Sequence, residues 1–323
     1  MKNNTFEEIA AALVQGQKIL LFPHVHMDGD ALGSCAALCL ALRKAGKECW
    51  VLIEDRIPEN LQFLDHGCCT ADQDILGDPD LSICVDCSDM ERIHDRGRRF
   101  LSAEVTVCID HHRTADSFCD LNCIDSSAAA TGELIYGLLQ ACGVRIDREM
   151  GEALFAAIVT DTGRFQYSNT SRRTHEIAAA LYDAGIDASR ICTEIYESMR
   201  MERLMIRNQA LNTMSTVAGG RAVIAYVTQE MLRETGAFMD ETDGIVEELR
   251  SIKGVEVAAF LKEAEDGTIK VSMRSKEALD VAEIAQRLGG GGHIRAAGCT
   301  LSCTLSEAYD RLRDQLTDGL ERL

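Results

Sequence analysis

Short apolar runs that stop at or near acidic or imidazole groups constrain the fold of this chain more than any other feature. The runs are KILLFP (18–23), CWVLI (49–53), LSICVD (81–86) and VTVCID (105–110). Runs of this length without polar alternation read as strands buried on both faces. After the first, DALGSCAALCLALRKAG (30–46) shows helical periodicity and a glycine stop. Strands alternating with helices predict an α/β fold, a parallel sheet with helices on both faces. Ligands of such sheets gather beyond the carboxyl ends of the strands. His24 to Asp30, Asp86 and Asp110 to His112 all fall there.

Helices are expected at about 127–141, 148–160 and 172–184, with a further pair over 188–215, where ESMRMERLMIRNQALNTM is polar and helix-favouring. The helix near 127 would take Ser126 or Ser127 as its N-cap, with small residues bringing it close to the sheet. After AGG (218–220) the pattern restarts with strand RAVIAYV, a helix near 241–252, strands VEVAAFLKE and IKVSMRS, a helix at 280–288 and then GGGGH. The expected organisation is a first domain over 1–187, a helical linker over 188–217 and a smaller mixed α/β domain over 218–323.

The net charge of -19 argues against a protein that coats long nucleic acid, because such binding draws on Lys and Arg neutralising phosphates. A short anionic substrate needs a local basic group or a bound cation to offset that field. The 14 cysteines are scattered through apolar segments such as CAALCLAL (35–42), the pattern of reduced core residues. Cys84-x-x-Cys87 has no second pair to complete a zinc knuckle. The first residues, MKNNTFEEIAAALVQGQ, carry Glu7 and Glu8 and no apolar h-region, and no uncharged apolar stretch has the length of a membrane span. A soluble cytoplasmic protein is expected, and monomer and homodimer both fit.

A charged group at the exit of a buried strand is costly to desolvate unless it is paired, hydrated or metal-bound. Here the cases recur: HVHMDGD (24–30), Asp86, Asp110-His111-His112, and Asp161 in AAIVTDTGRF. Mixed carboxylate and imidazole groups without thiolates suit Mn²⁺, with Mg²⁺ or Co²⁺ as substitutes, whereas structural Zn²⁺ more often recruits Cys. The set is large enough for two metals sharing a carboxylate, and metals about 3.5–4 Å apart are the usual apparatus for splitting phosphate esters. Within HVHMDGD, Gly29 is expected to give a tight turn between Asp28 and Asp30. Further on, four consecutive glycines would expose backbone N–H groups as a nest for a phosphate or carboxylate. His293 follows them and Arg274 lies on a preceding strand, which points to anion binding.

These segments carry a family resemblance. HVHMDGDALGS (24–34), VDCSD (85–89), DHH (110–112) and TDTGRF (160–165) resemble, in order, the four motifs of the DHH phosphoesterase superfamily. GGGGHIRAAG (289–298), with VSMRS (271–275) before it, resembles the DHH-associated substrate domain. The resemblance spans essentially the whole chain, and the length and two-domain layout are most similar to the bifunctional oligoribonuclease and 3'-phosphoadenosine 5'-phosphate (pAp) phosphatase group. It implies that His24 and Asp28 hold one metal, that Asp30, His111 and Asp161 hold the other, and that Asp86 bridges them. His112 would lie beside the substrate phosphate as hydrogen-bond donor or proton carrier, with Asp110 supporting it from behind. Arg274, Ser275, Gly290, Gly291, Gly292 and His293 would hold the terminal nucleotide.

The chemistry so implied is hydrolysis of short oligoribonucleotides to mononucleotides, and of pAp to AMP, by hydroxide held between two Mn²⁺ ions. Cyclic di-AMP or its linear product pApA is an alternative substrate. A nucleotide-binding protein is the non-enzyme alternative, against which the intact ligand set speaks. Three departures from the family pattern stand out: His26 where Asn is usual, Met27 where Pro is usual, and Arg113 after the DHH. His26 is the member of HVHMDGD expected to matter least.

Overall fold

In the computed structural model, which describes residues 3–113, 115 and 117–323, the expected buried runs become strands of one parallel sheet. Its strands are β1 (Lys18–Phe22), β2 (Glu48–Leu52), β3 (Cys69–Thr70), β4 (Leu81–Val85), β5 (Val105–Asp110) and β6 (Leu121–Ile124). They lie in the order β3-β2-β1-β4-β5-β6. The order reverses between β1 and β4, whose pairing sets Ile19 against Leu81 and Phe22 against Cys84. Open α/β sheets bind ligands at such a reversal.

Each strand is apolar on both sides because both sides are covered. Ile19, Leu21, Ile83, Val85, Val107 and Ile109 share a core with helices Gly29–Lys44, Thr131–Ala141 and Arg148–Asp161. Leu20, Phe22, Leu52, Cys84 and Cys108 face the other way, against Ile93 and Phe100. There Phe22 and Phe100 meet edge to face with ring centroids 5.2 Å apart. Each such side chain contributes about 1.5–3 kcal/mol when fully buried. The second face is covered by the short helices Met90–Arg96 and Gly97–Phe100 rather than by long ones. All 14 cysteines are free, most of them buried in these layers, as expected of core residues.

Helix Gly29–Lys44 is buried along residues 29–42, and it packs closely on helix Arg148–Asp161. Contact is close enough that a Cβ on Gly33 would meet the Ala153 carbonyl oxygen at 2.5 Å. Gly29 serves the same purpose. It is the first residue of the helix rather than the centre of a tight turn, and a Cβ there would meet Thr160 Cγ2 at 2.5 Å.

A second unit runs from Met199 to Leu323. Its strands are β7 (Ser215–Val217), β8 (Ala222–Val227), β9 (Val257–Glu263), β10 (Ile269–Ser275), β11 (Gly291–His293) and β12 (Ala296–Leu301), in the order β11-β12-β10-β9-β8-β7. β8 and β9 are parallel and the other pairs antiparallel. One face is covered by helix Leu305–Glu321 through Leu312, Leu316 and Leu320, the other by Ile245 and Leu249 of helix Ile245–Ser251. The helix expected near 241–252 starts only at Ile245 because Gly244, at φ 92°, breaks it from the turn before. The first unit ends at Ser198, inside the segment expected as a linker. Helix Ala188–Tyr196 buries Ile191 and Ile195 in the first core, while helix Met201–Asn212 buries Ile206 and Ala210 in the second. Among the described residues no helix is long and apolar enough to cross a membrane.

Candidate metal centre

Five chain segments bring their polar ends together beyond β1, β4 and β5. β1 leads through Pro23 to His24, which is buried. His24 Nδ1 lies 2.7 Å from the Val25 carbonyl, which can only accept, so this nitrogen carries the proton. Its Nε2 is left bare, 3.8 Å from Asp28 Oδ1 and 3.7 Å from Asp86 Oδ2. Asp28 is the N-cap of helix Gly29–Lys44, its Oδ1 accepting from the amides of Asp30 and Ala31. Asp30 lies in the first turn of that helix, fully buried. Beyond β4, Asp86 is buried with φ at 58°, a left-handed conformation that turns its carboxylate across the strand ends. Beyond β5, His111 Nδ1 donates to the Ala128 carbonyl. That leaves His111 Nε2 3.7 Å from Asp30 Oδ2, 3.6 Å from Asp86 Oδ1 and 3.4 Å from Asp161 Oδ2. Asp161 is the last residue of helix Arg148–Asp161.

The gaps of 3.4–3.8 Å are too long for hydrogen bonds. Donor atoms about 2.1 Å from a common divalent ion would stand about 3.0–3.6 Å apart; the 3.4 and 3.6 Å gaps fall in that range and the 3.7 and 3.8 Å gaps just beyond it, so the donor set suits cations that draw it slightly closer. His24, Asp28 and Asp86 form one group that could hold a metal, and Asp30, His111 and Asp161 form another. Asp86 faces both, through Oδ2 to His24 and Oδ1 to His111. The electrostatics agree for three of the four carboxylates; despite its burial, the Asp28 pKa is lowered to about 2 by His24 and the amides of Ala31 and Asp30. Burial, then the charges of Asp86 and Asp161, push Asp30 well above the usual carboxylate range. Burial and then Asp28 raise Asp86, and Asp161 is pushed up to about 6, chiefly by burial. Carboxylates so crowded resist ionising together unless a cation joins them.

His112 Nδ1 lies 2.7 Å from Asp110 Oδ1, and the His112 amide donates to the same oxygen. That bond, outweighing partial burial, raises the His112 pKa. Asp110 is fully buried, and its Oδ2 has no partner among the described residues. His26 points outward at φ 55° with its side chain 88% exposed, and its amide donates to Asp55. Arg113 is exposed. Phe165 packs between Phe155 and His175, while Tyr167 is 61% exposed.

Several supporting residues escaped the sequence reading. Helix Thr131–Ala141 starts after Ala130, which has no side chain to cap it, and Ser127 is turned instead onto Asp125. The cap comes from across the fold. Asp30 Oδ2 accepts the Thr131 amide at 2.7 Å, and Asp30 Oδ1 accepts the Gly132 amide at 2.9 Å and the Ser34 hydroxyl at 3.0 Å. The Thr131 hydroxyl donates to Asp86 Oδ1 at 2.7 Å. Asn169 bridges the carbonyls of Ala129 and Asp161. Buried Arg96 donates to the carbonyls of Pro23, Leu52 and Ile93, tying the exits of β1 and β2 together. The one sequence signal for this support is Thr-Gly-Glu (131–133) at a helix start without a capping side chain.

In the second unit the glycine run is less open than expected. Gly289 and Gly290 spend their amides on the carbonyls of Gln286 and Ala285, so four consecutive free N–H groups are not formed. Gly291, Gly292 and His293 form the exposed edge strand β11, where Gly292 at φ 139° lies too close to Ala296 and Ala297 to carry a Cβ. Arg274 donates to Glu247 at 2.9 Å, and Ser275 is buried.

Residues 18–158 match the DHH family, N-terminal domain, and residues 219–321 the DHHA1 domain. Over 94% of its length the chain is 31% identical to the bifunctional oligoribonuclease and PAP phosphatase NrnA of Thermus thermophilus, covering 90% of that protein. The chain belongs to the DHH family. Like-named NrnA of Bacillus subtilis is 29% identical over 88% of this chain and 89% of its own. Among solved structures, an exopolyphosphatase-related protein from Bacteroides fragilis superposes with a TM-score of 0.82 at 25% identity, covering 97% of this chain and 95% of that one. As a DHH-family protein with NrnA-named relatives, it is a hydrolase acting on phosphoester bonds.

Proposed function

We propose that this DHH-family hydrolase cuts short oligoribonucleotides to mononucleotides and converts pAp to AMP. The observation that carries this reading is the meeting of two carboxylate–imidazole groups on Asp86. His24 and Asp28 would hold one Mn²⁺ and Asp30, His111 and Asp161 a second, with Asp86 common to both. When bound, two such cations supply Lewis acidity that draws charge from a phosphoryl oxygen and activates water. The chain's own residues do the rest. Val25 and Ala128 fix the imidazoles of His24 and His111 in the tautomer that presents Nε2. Asp110 holds the proton on His112 Nδ1, so Nε2 is the atom at which His112 takes up or releases a proton for the leaving oxygen. The same bond raises the His112 pKa, which helps the ring hold that proton. In the second unit, the exposed edge of Gly291 to His293 offers backbone and imidazole donors to the end of a nucleotide, and Arg274 would exchange Glu247 for that anion.

The test is purified protein with Mn²⁺, offered separately a dinucleotide, a pentaribonucleotide, pAp, cyclic di-AMP and pyrophosphate. Release of mononucleotides from the first two and of AMP from pAp is expected. Turnover of pyrophosphate alone or cyclic di-AMP alone would reject the substrate assignment, and turnover of none would reject the enzyme. Replacing Asp86 by Ala should abolish hydrolysis while the circular dichroism spectrum stays native. Near-normal rates in that variant would show that the two groups do not meet on Asp86.

A further inference from the structure

A phosphate substrate brings its own negative charge to a centre that already holds Asp28, Asp30, Asp86 and Asp161, in a chain of net charge -19. Two divalent cations would only about balance those four carboxylates. Beside His112, a further positive group facing the same space would offset the charge of the phosphate. Helices Met90–Arg96 and Gly97–Phe100, which follow β4 and Asp86, supply four arginines, Arg92, Arg96, Arg98 and Arg99, of which Arg98 is exposed. Arg96 is spent on the three carbonyls of Pro23, Leu52 and Ile93, and Arg99 on Leu76, Gly77 and Ser102. Arg92 differs.

The Arg92 backbone is held on both sides. Its amide donates to the capping carboxylate of Asp89 at 3.1 Å, and its carbonyl accepts from the Val25 amide at 3.0 Å. These bonds lay Arg92 against the His24 to His26 loop. The side chain is half-buried, and its guanidinium is near enough to His24 and His112 for its charge to act on both imidazoles. Among the described residues that guanidinium has no hydrogen-bond or ion-pair partner. A half-buried arginine without a carboxylate, in a chain with 52 of them, is a charge kept for something else. Its planar fork of N–H groups matches a phosphate, which lysine would meet only as a point charge. We propose that Arg92 is a substrate-binding residue that grips the phosphoryl group being cut, on the side of the centre lined by His24 and His112.

This rests on the phosphoesterase reading above, and the test separates the two. Binding of orthophosphate to the Mn²⁺-loaded protein is measured by calorimetry for the native chain, Arg92→Ala and Arg92→Lys. The same proteins are assayed on a dinucleoside monophosphate, whose only phosphate is the one being cut, and on pAp. Loss of a charge-assisted contact predicts a roughly ten- to hundredfold fall in orthophosphate affinity and in kcat/KM on the dinucleoside monophosphate for Arg92→Ala. Arg92→Lys should keep part of both, and added guanidinium should restore Arg92→Ala. The Mn²⁺ affinity and Tm should stay at native values, which separates a phosphate contact from a structural one. Unchanged orthophosphate affinity in Arg92→Ala overturns the proposal. So does a kcat/KM loss confined to pAp, which would put Arg92 on a flanking phosphate, or a loss that follows weakened Mn²⁺ binding. Should the native protein hydrolyse nothing, the phosphoesterase reading fails, and orthophosphate binding still decides the role of Arg92.

Discussion

Thr131 links the two halves of the centre by a single side chain and amide. Its hydroxyl fixes one oxygen of Asp86, while its N–H fixes one oxygen of Asp30. Replacement by Val keeps the volume and the amide but leaves Asp86 Oδ1 without its donor. Loss of a hydrogen bond behind a metal ligand typically weakens the metal by about 10–100-fold. Thr131→Val should therefore need at least about tenfold more Mn²⁺ for half-saturation, measured by calorimetric titration, with Thr131→Ser near native. Equal Mn²⁺ affinity in Val and Thr proteins would mean that Asp86 is oriented by its backbone alone. The contrast with Asp86 itself shows what a sequence can convey. Asp86, Asp110 and His111 were legible because residue type and strand exit coincide along the chain. Thr131 was not, because its partners lie 45 and 101 residues away and Ser126 or Ser127 upstream reads as an ordinary N-cap. The same holds for Arg92, whose proposed role rests on its having no carboxylate partner among the described residues.

Helices Gly29–Lys44 and Arg148–Asp161 carry Asp30 and Asp161, so the spacing between these two elements sets the spacing of the centre. Gly33, like Gly29, is a point of close contact between them, with room for no Cβ beside the Ala153 carbonyl. Gly33→Val must push the helices apart or strain both, at a cost of about 1–3 kcal/mol, with activity falling as Asp161 moves from Asp30. Urea melts of metal-free protein give the first quantity, and an unmoved midpoint would mean that the pair can slide without loss. Legibility at this scale followed strand length. The four apolar runs became β1, β2, β4 and β5, but β3 has two residues and β6, LNCI, has a polar one in its middle, too little pattern to read. β11 is two glycines and a histidine, and only its pairing with β12 makes it a strand. Helix Phe6–Gln15 was missed despite a readable signal, the capping box of Thr5 and Glu8.

For the molecule as a whole, the centre makes stability depend on pH and cation together. Without metal, Asp30 and Asp86 have raised pKa values and Asp161 is pushed up to about 6, against about 3.9 in an unfolded chain. Between those values the folded state binds more protons than the unfolded one, so the contribution of these groups to stability falls as pH rises, for Asp161 from about pH 4 to about pH 6. His24 and His112, both raised, add in the same direction as pH climbs through their folded values. A bound cation reverses this, because it favours the ionised carboxylate and the neutral imidazole, and binding to the folded state alone stabilises it. Melting curves at pH 5 and pH 7.5, each with EDTA and with excess Mn²⁺, should therefore give a larger Mn²⁺-induced rise in Tm at the higher pH. Asp30→Asn should shrink that rise, because it removes a carboxylate of the centre. A Mn²⁺ increment that is the same at both pH values, or an Asn variant that keeps it in full, would mean that the ion holding the fold binds elsewhere.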